Sequence, residues 1–254
     1  MIQLKALNKD LDINHCISAG RVQWFDQIGS TNDYIMSLEE FHGAVCVAGL
    51  QTQGRGRRGR QWLAPAGSSI LMSLGWRVPL NRVAGLSLAC GLGIYDALTE
   101  LGVGEVSLKW PNDVLINGKK LAGILVELGK DRVVIGVGLN VNIQQNRLQY
   151  PTETRLPWTD LYNEGYQVEF QQILLQLILH TCEVLQGFSE AGFAPMQDRW
   201  NQHHGAHNKN IILQGKETVR GKVAGVDVDG ALLLETAEGR RKFYAGEVSM
   251  SLSG

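Results

Sequence analysis

The sequence predicts an α+β protein: a larger domain in which strands and helices intermingle, followed by a small β-barrel-like unit. Three observations carry this. Apolar runs of strand length alternate with helical stretches through the first two hundred residues. From about residue 206 the pattern shifts to short strands separated by glycine. At 254 residues the chain can hold one large domain with a companion.

The elements follow in order. RVQWF (21–25) reads as a strand. Ser30 begins a capping pattern, Ser-x-x-Asp33, ahead of a short helix to about Glu40. AVCVAGL is a β-branched apolar run, and SSILMSLGW reads as a further strand. Asn81 can cap a helix running to Leu101, with Gly102 stopping it. EVSLKW is a strand, Pro111-Asn112 a turn, and DVLI-NG-KKLAGILVEL a hairpin whose Asn117-Gly118 suits a type I′ turn. RVVIGVGLNVNI alternates as another strand. Left uncovered at an edge, such as 132–142, it would need pairing, which points to a homodimer. FQQILLQLILHTCEVLQGF carries apolar residues at 170, 173, 174, 177, 178, 185 and 188, one helix face for packing on the sheet. A second helix is expected from Phe193 to about His204. NIILQ, ETVRGKVAGV, ALLLETAEG and RKFYAGEVSM then supply the small β unit. The domain limits are 1–20 for an N-terminal extension, 21–205 for the main domain and 206–254 for the companion.

Composition narrows the class. The formal net charge is −1, which gives no global reason for nucleic-acid or membrane binding. No signal segment opens the chain, and no uncharged apolar run approaches a membrane span. Cys16, Cys46, Cys90 and Cys182 are far apart, which suits reduced thiols and a cytoplasmic location. His203, His204 and His207 have a metal-like spacing without an acid or cysteine cluster beside them, and read as ordinary loop residues.

Against that balance, QTQGRGRRGRQW (51–62) stands out. Between residues 41 and 95 the ionic side chains are six arginines, with no acid and no lysine. Gly54, Gly56 and Gly59 fit G-x-G-x-x-G, but Pro65 and Gly67 follow instead of a helix, and no acid lies downstream at the dinucleotide spacing. The P-loop pattern fails as well, because Arg60-Gln61 follows Gly59. Taken alone, the loop fits either a solvated surface segment or a local anion site. Arginine's planar fork suits carboxylate and phosphate oxygens. A loop so rich in like charge and glycine has nothing of its own to bury, so it is expected to order over a bound ligand.

The second informative stretch is SLKWPNDVLINGKKLAGILVE (107–127). The hairpin returns Lys119-Lys120 close to the Pro111-Asn112-Asp113 turn, so Asp113 and Lys120 can border one site. Gly136 and Gly138 lack side chains in mid-strand, where a ligand or another chain segment can approach closely. Asn140 can offer paired donor and acceptor groups to an adenine edge.

STN (30–32), the arginine-glycine loop, KWPND (109–113), KLAGILVE (120–127) and GVGLNVN (136–142) together resemble the biotin protein ligases, in the family's order. Lipoate ligases share the general fold but lack the arginine-rich loop. The resemblance implies a mixed sheet of class II synthetase type with helices packed on it, and a small SH3-like C-terminal β-barrel. It implies that biotin carboxylate attacks the α-phosphate of ATP to give biotinyl-5′-AMP, and that a lysine of a biotin carboxyl carrier protein then takes the biotinyl group.

By the same resemblance Ser30, Thr31, Asn32 and Gln51 hold the polar head of biotin. Arg55, Gly56 and Arg57 line the carboxylate and phosphate region, and Lys120 binds the carboxylate and polarises the anhydride. Trp62, Asn112, Gly123, Gly136 and Asn140 surround the nucleotide. Lys120, Arg57 and Asp113 are the candidate catalytic residues, Asp113 orienting the incoming lysine or accepting its proton. Mg2+ is implied with ATP, held mainly by phosphate, and no protein ligand is named. Many relatives carry an N-terminal helix-turn-helix domain and double as repressors. Only about twenty residues precede the first strand here, so no operator binding is expected. Nor does a basic residue follow Glu247-Val248-Ser249, where the family often has one.

Overall fold

The structure, a computed structural model, describes residues 22–143 and 157–250. The N-terminal extension, with the operator-binding expectation attached to it, and Cys16 lie outside the described residues. Seven strands pair into one sheet: β1 (Val22–Phe25), β2 (Val45–Ala48), β3 (Ser69–Trp76), β4 (Val106–Lys109), β5 (Asp113–Ile116), β6 (Lys119–Leu128) and β7 (Val133–Asn140). Their order is β1-β2-β3-β7-β6-β5-β4. Only β1 and β2 run parallel; every other neighbouring pair is antiparallel, so the sheet is mixed.

Alternation gives this sheet two faces. Ile70, Met72 and Leu74 of β3, Val133, Ile135, Val137 and Leu139 of β7, and Ala122 and Ile124 of β6 enter the main core. Two helices cover that side, α2 (Leu86–Glu100) and α3 (Phe170–Ala191). The apolar face expected of 170–188 is buried there, with Ile173, Leu174, Leu177, Ile178, Leu185 and Phe188 all buried. The opposite face is covered in part by the short α1 (Thr31–Ser37), where Ile35 packs with Ala44, Cys46 and Val134.

Local chemistry sets the boundaries. The Ser30 hydroxyl accepts from the Asp33 N–H and starts α1, as the capping pattern requires, although the helix ends at Ser37 rather than near Glu40. Asn117 and Gly118 both have positive φ (50° and 73°), as a type I′ turn demands. Asn81 is not a helix cap: Leu80–Arg82 is a single 3-10 turn, and α2 begins after Gly85, which sits in the left-handed region. The helix expected from Phe193 splits into a 3-10 turn at Ala194–Met196 and α4 (Gln197–Gln202).

The edge expected at 132–142 is overturned. β7 lies between β3 and β6, with both its edges bonded. The outer strands are β1 and β4, and β4 is closed on its outer side by the turn after α4. There Leu108 N–H donates to His203 O, and Gly205 N–H donates to Leu108 O. His203 stacks on Tyr95 with ring centroids 3.9 Å apart, and His204 lies against Trp200 at 4.5 Å. Burial pushes the His204 imidazole down to about 3, so it sits neutral.

The C-terminal unit is one antiparallel sheet of β8 (Asn210–Gln214), β9 (Thr218–Val226), β10 (Leu232–Thr236), β11 (Gly239–Phe243) and β12 (Glu247–Met250), in the order β11-β10-β9-β8-β12. The expected barrel is not closed, because β11 and β12 do not pair with each other. The unit is tied to the main domain by polar contacts: Trp110 Nε1 donates to Gly230 O at 3.1 Å, and the Asn201 side chain exchanges two hydrogen bonds with the Val226 backbone. Val223, Leu232 and Val248 share the core of the main domain. Among the described residues no helix is long and apolar enough to cross a membrane.

Candidate functional site

On the sheet face away from α2 and α3, β6 and β7 present three glycines. A Cβ added at Gly136 would lie 2.5 Å from Asn32 Oδ1, one at Gly138 2.4 Å from the Trp62 ring, and one at Gly123 2.9 Å from the same ring. No side chain fits at these positions, so α1 and the basic loop close directly onto the sheet backbone. A cavity of about 970 Å³ runs along this face. Every residue nominated from the sequence borders it: Ser30, Thr31, Asn32, Gln51, Arg55, Gly56, Arg57, Trp62, Asn112, Asp113, Lys120, Gly123, Gly136 and Asn140. Lys119, the other lysine of the hairpin, pairs with Glu164 instead.

At one end the polar groups form a single buried network. Gln51 Oε1 accepts from both the Thr31 N–H (2.8 Å) and the Thr31 hydroxyl (3.0 Å). The Ser73 hydroxyl lies 2.6 Å from Thr31 Oγ1 and 2.5 Å from Asn32 Oδ1, and Asn32 Nδ2 donates to Glu127 Oε2 at 2.6 Å. Thr31, Asn32 and Ser73 are all nearly inaccessible. Buried amides and hydroxyls fixed in this way present donors and acceptors in set directions, as recognition of a small polar head requires.

The basic loop is docked. A pinch pairs Arg55 with Gln61, the Trp62 N–H donates to Gly54 O at 2.9 Å, and the Gly56 N–H donates to Arg60 O at 2.7 Å. The arginines have separate partners. Arg55 grips Asp33 through two nitrogens (2.6 and 2.8 Å) and reaches Glu127 at 3.1 Å. The Arg55 hydrogen bond holds the Asp33 carboxyl below the usual carboxylate range. Arg60 bonds Glu247 on β12, and Arg58 lies 3.7 Å from the same carboxylate. Counter-charges from other elements thus order a loop that could not order itself.

Arg57 differs. It donates to the neutral Asn112 Oδ1 at 3.0 Å and makes no ion pair among the described residues. Burial, followed by the neighbouring Arg58, pulls its pKa below the ordinary arginine value. Arg57 is thus the loop arginine without an acid partner among the described residues. Lys109, at the end of β4, also borders the cavity with its pKa lowered by burial.

Across the hairpin, Lys120 Nζ lies 2.5 Å from Asp113 Oδ1 and 5.5 Å from the Trp62 ring centroid. Lys120 pairs with Leu115, so Asp113, two residues before Leu115 on β5, is its diagonal neighbour on the same face. Asn112 is held at both ends, since its Nδ2 donates to Ile124 O. Asn140 Nδ2 donates to Thr159 O, so the paired donor and acceptor expected of Asn140 reduce to its Oδ1 alone, which is buried and unbonded.

Ser73, Glu127, Lys109 and Glu247 were not nominated from the sequence. Ser73 left a readable trace as a hydroxyl in the middle of the apolar run SILMSLGW. Lys109, Glu127 and Glu247 lie within stretches read from the sequence, but the distant arginine partners of Glu127 and Glu247 are not signalled by any spacing.

The same pattern of residues occurs in known proteins. Residues 24–142 match the Biotin/lipoate A/B protein ligase family, and residues 206–251 match the Biotin protein ligase C terminal domain. The bifunctional ligase/repressor BirA of Escherichia coli is 34% identical over 242 residues, covering 92% of this chain and 75% of BirA. The biotin–[acetyl-CoA-carboxylase] ligase of Mycobacterium tuberculosis is 34% identical over 234 residues, covering 87% and 86%. The chain belongs to the biotin protein ligase family. The solved structure of the Aquifex aeolicus biotin protein ligase in complex with biotin and ATP matches the fold with a TM-score of 0.81 and 31% identity, over 91% of this chain and 99% of that one. The two matched regions correspond to the mixed-sheet domain bearing the cavity and to the small β domain whose Glu247 reaches into it.

Proposed function

We propose that this ligase attaches biotin to a lysine of a biotin carboxyl carrier protein by way of biotinyl-5′-AMP, using the residues around the glycine strip. The observation that carries the assignment of roles is the contrast among the loop arginines. Three are engaged with acids, while Arg57 is held by Asn112 on the cavity wall that also bears Lys120.

In the first step a carboxylate oxygen of biotin attacks the α-phosphorus of ATP. The new P–O bond forms as the bond to the bridging oxygen breaks, and pyrophosphate leaves. Two anions at about 4 Å repel by about 4 kcal/mol at an effective dielectric near 20. Arg57 and Lys120 offset that repulsion and stabilise charge on the phosphorus oxygens. Asn112 aims Arg57, and Asp113 holds Lys120. In the second step the carrier lysine amine attacks the acyl carbon, a C–N bond forms, AMP leaves with the C–O electron pair, and Asp113 orients the amine or takes its proton. Thr31, Asn32 and Gln51 hold the polar head of biotin, Ser30 caps the helix that presents Thr31 and Asn32, and Trp62 shields the anhydride.

Mg2+ is proposed to arrive with ATP on its phosphate oxygens. The cytoplasm, where ATP and carrier domains occur together, is the proposed location. A homodimer is also proposed, with β1 rather than β7 as the strand of the seven-stranded sheet that lacks an outer neighbour among the described residues. Analytical ultracentrifugation with biotin and ATP present tests it.

Pyrophosphate release tests the function. It should require both biotin and ATP, and lipoate or octanoate should not replace biotin. Release driven by lipoate alone would overturn the reading.

A further inference from the structure

Glu127 stands where the head pocket and the basic loop meet. It is the last inward residue of the β6 face that also carries Gly123 and Leu125. Its two carboxylate oxygens are shared: Oε2 accepts from Asn32 Nδ2 at 2.6 Å, while Arg55 Nη2 reaches Oε2 at 3.1 Å and Oε1 at 3.3 Å. Asn32 in turn accepts from Ser73 through Oδ1, so its amide is fixed from both sides. Asp33, the next residue on α1, holds the other edge of the Arg55 fork.

We propose that Glu127 is a positioning residue that couples the biotin-head pocket to the arginine loop. Its carboxylate orients the Asn32 amide and, through Arg55, clamps the loop over the cavity. A ligand that fixes Asn32 thereby fixes the carboxylate, and a fixed carboxylate is a better anchor for Arg55. Occupancy of the head pocket is transmitted to the loop over two hydrogen bonds. The side chains of Glu127 and Arg55 are 31% and 37% exposed, so neither is a core element, and both can be changed without opening the fold.

The inference rests on the proposed function, and its test separates the two. The readouts are the KM for biotin in pyrophosphate release and the rate of tryptic cleavage within residues 55–61, with and without biotin. Glu127→Gln keeps an oxygen for Asn32 and loses the charge. Loop cleavage should rise several-fold and biotin should no longer slow it, while the biotin KM rises far less than in Glu127→Ala. Glu127→Ala should also raise the biotin KM roughly tenfold or more, since the buried Asn32 N–H is left unpaired. In an Arg55→Gln background, where Arg57, Arg58 and Arg60 remain cleavable, adding Glu127→Gln should not loosen the loop further. Asp33→Asn should loosen the loop and leave the biotin KM nearly unchanged. Biotin protection of the loop that survives Glu127→Gln, or an equal loosening with and without Arg55, would overturn the coupling. Wild-type protein that releases no pyrophosphate with biotin would instead overturn the function itself.

Discussion

Lys120 Nζ and Asp113 Oδ1 are 2.5 Å apart although the strands that carry them pair Asp113 with Gly123 and Lys120 with Leu115. The contact is diagonal, and it leaves both groups half-buried at the cavity wall. The pair therefore contributes to stability as well as to chemistry, and the two contributions can be separated.

Lys120→Ala should cut biotin-dependent pyrophosphate release by about a hundredfold or more, the usual scale for losing a group that stabilises a developing anion. It also strands the Asp113 carboxylate, 14% exposed, at a cost of about 1–3 kcal/mol, enough to lower Tm by several degrees. Adding Asp113→Asn should restore the melting temperature and leave the activity low. Differential scanning calorimetry beside a pyrophosphate assay checks both. Full activity in Lys120→Ala would remove the site from this hairpin.

The loop arginines should not be equivalent. Arg57→Ala is expected to lower adenylate formation about a hundredfold, because it removes the loop cation that pairs with no acid among the described residues. Arg58→Ala should stay within about fivefold of wild type, the range for breaking one exposed ion pair. Single-turnover rates for the two variants measure the ratio, and equal losses would refute the distinction.

The glycine strip makes a steric prediction. In Gly138→Ala the new methyl would sit 2.4 Å from the Trp62 ring, so the indole must lift and quenching of its fluorescence by iodide should increase. In Gly136→Ala the methyl meets Asn32 Oδ1 at 2.5 Å, and the biotin KM should rise about tenfold while the ATP KM moves less. An unchanged biotin KM in Gly136→Ala would separate Asn32 from the head pocket.

Glu164 gives the pH dependence. Burial alone would raise its pKa, but bonds from Thr159, Asn117 and Lys119 bring it down to about 2. These bonds pin the turn that presents Lys120. A carboxylate with a lowered folded-state pKa adds stability above its ordinary pKa, and that stability drains away as the pH falls through the folded value. Wild type should therefore lose more urea stability than Glu164→Gln between about pH 5 and pH 2. Parallel stability curves for the two proteins over that range would contradict the assignment.

Much of this site was legible because its signals are local. The Ser30 cap, the Asn117-Gly118 turn and the alternation of β6 and β7 each need only a few neighbouring residues, and each appears where the sequence places it. What was hidden is long-range pairing. The counter-charges that dock the loop come from Asp33, Glu127 and Glu247, which lie 22, 72 and 187 residues from the arginines they hold. No spacing rule connects them. The position of β7 was misjudged for the same reason, since a strand's pattern gives its faces but not its neighbours. Asn81 failed as a cap because it lies inside the 3-10 turn Leu80–Arg82, and the chain turns into α2 only at Gly85, directly before Leu86.

The bond between Arg60 and Glu247 joins points 187 residues apart. A ribosome adding about 5–20 residues per second takes roughly 10–40 s to cover that interval. Once Glu127 has been translated, the emerging main domain has Asp33, Arg55 and Glu127 in hand, while Arg58 and Arg60 still await their acid. Newly made chains should therefore acquire a fully settled loop only when β12 is finished, which makes this late strand a checkpoint on when the enzyme can begin to hold a reactive acyl group.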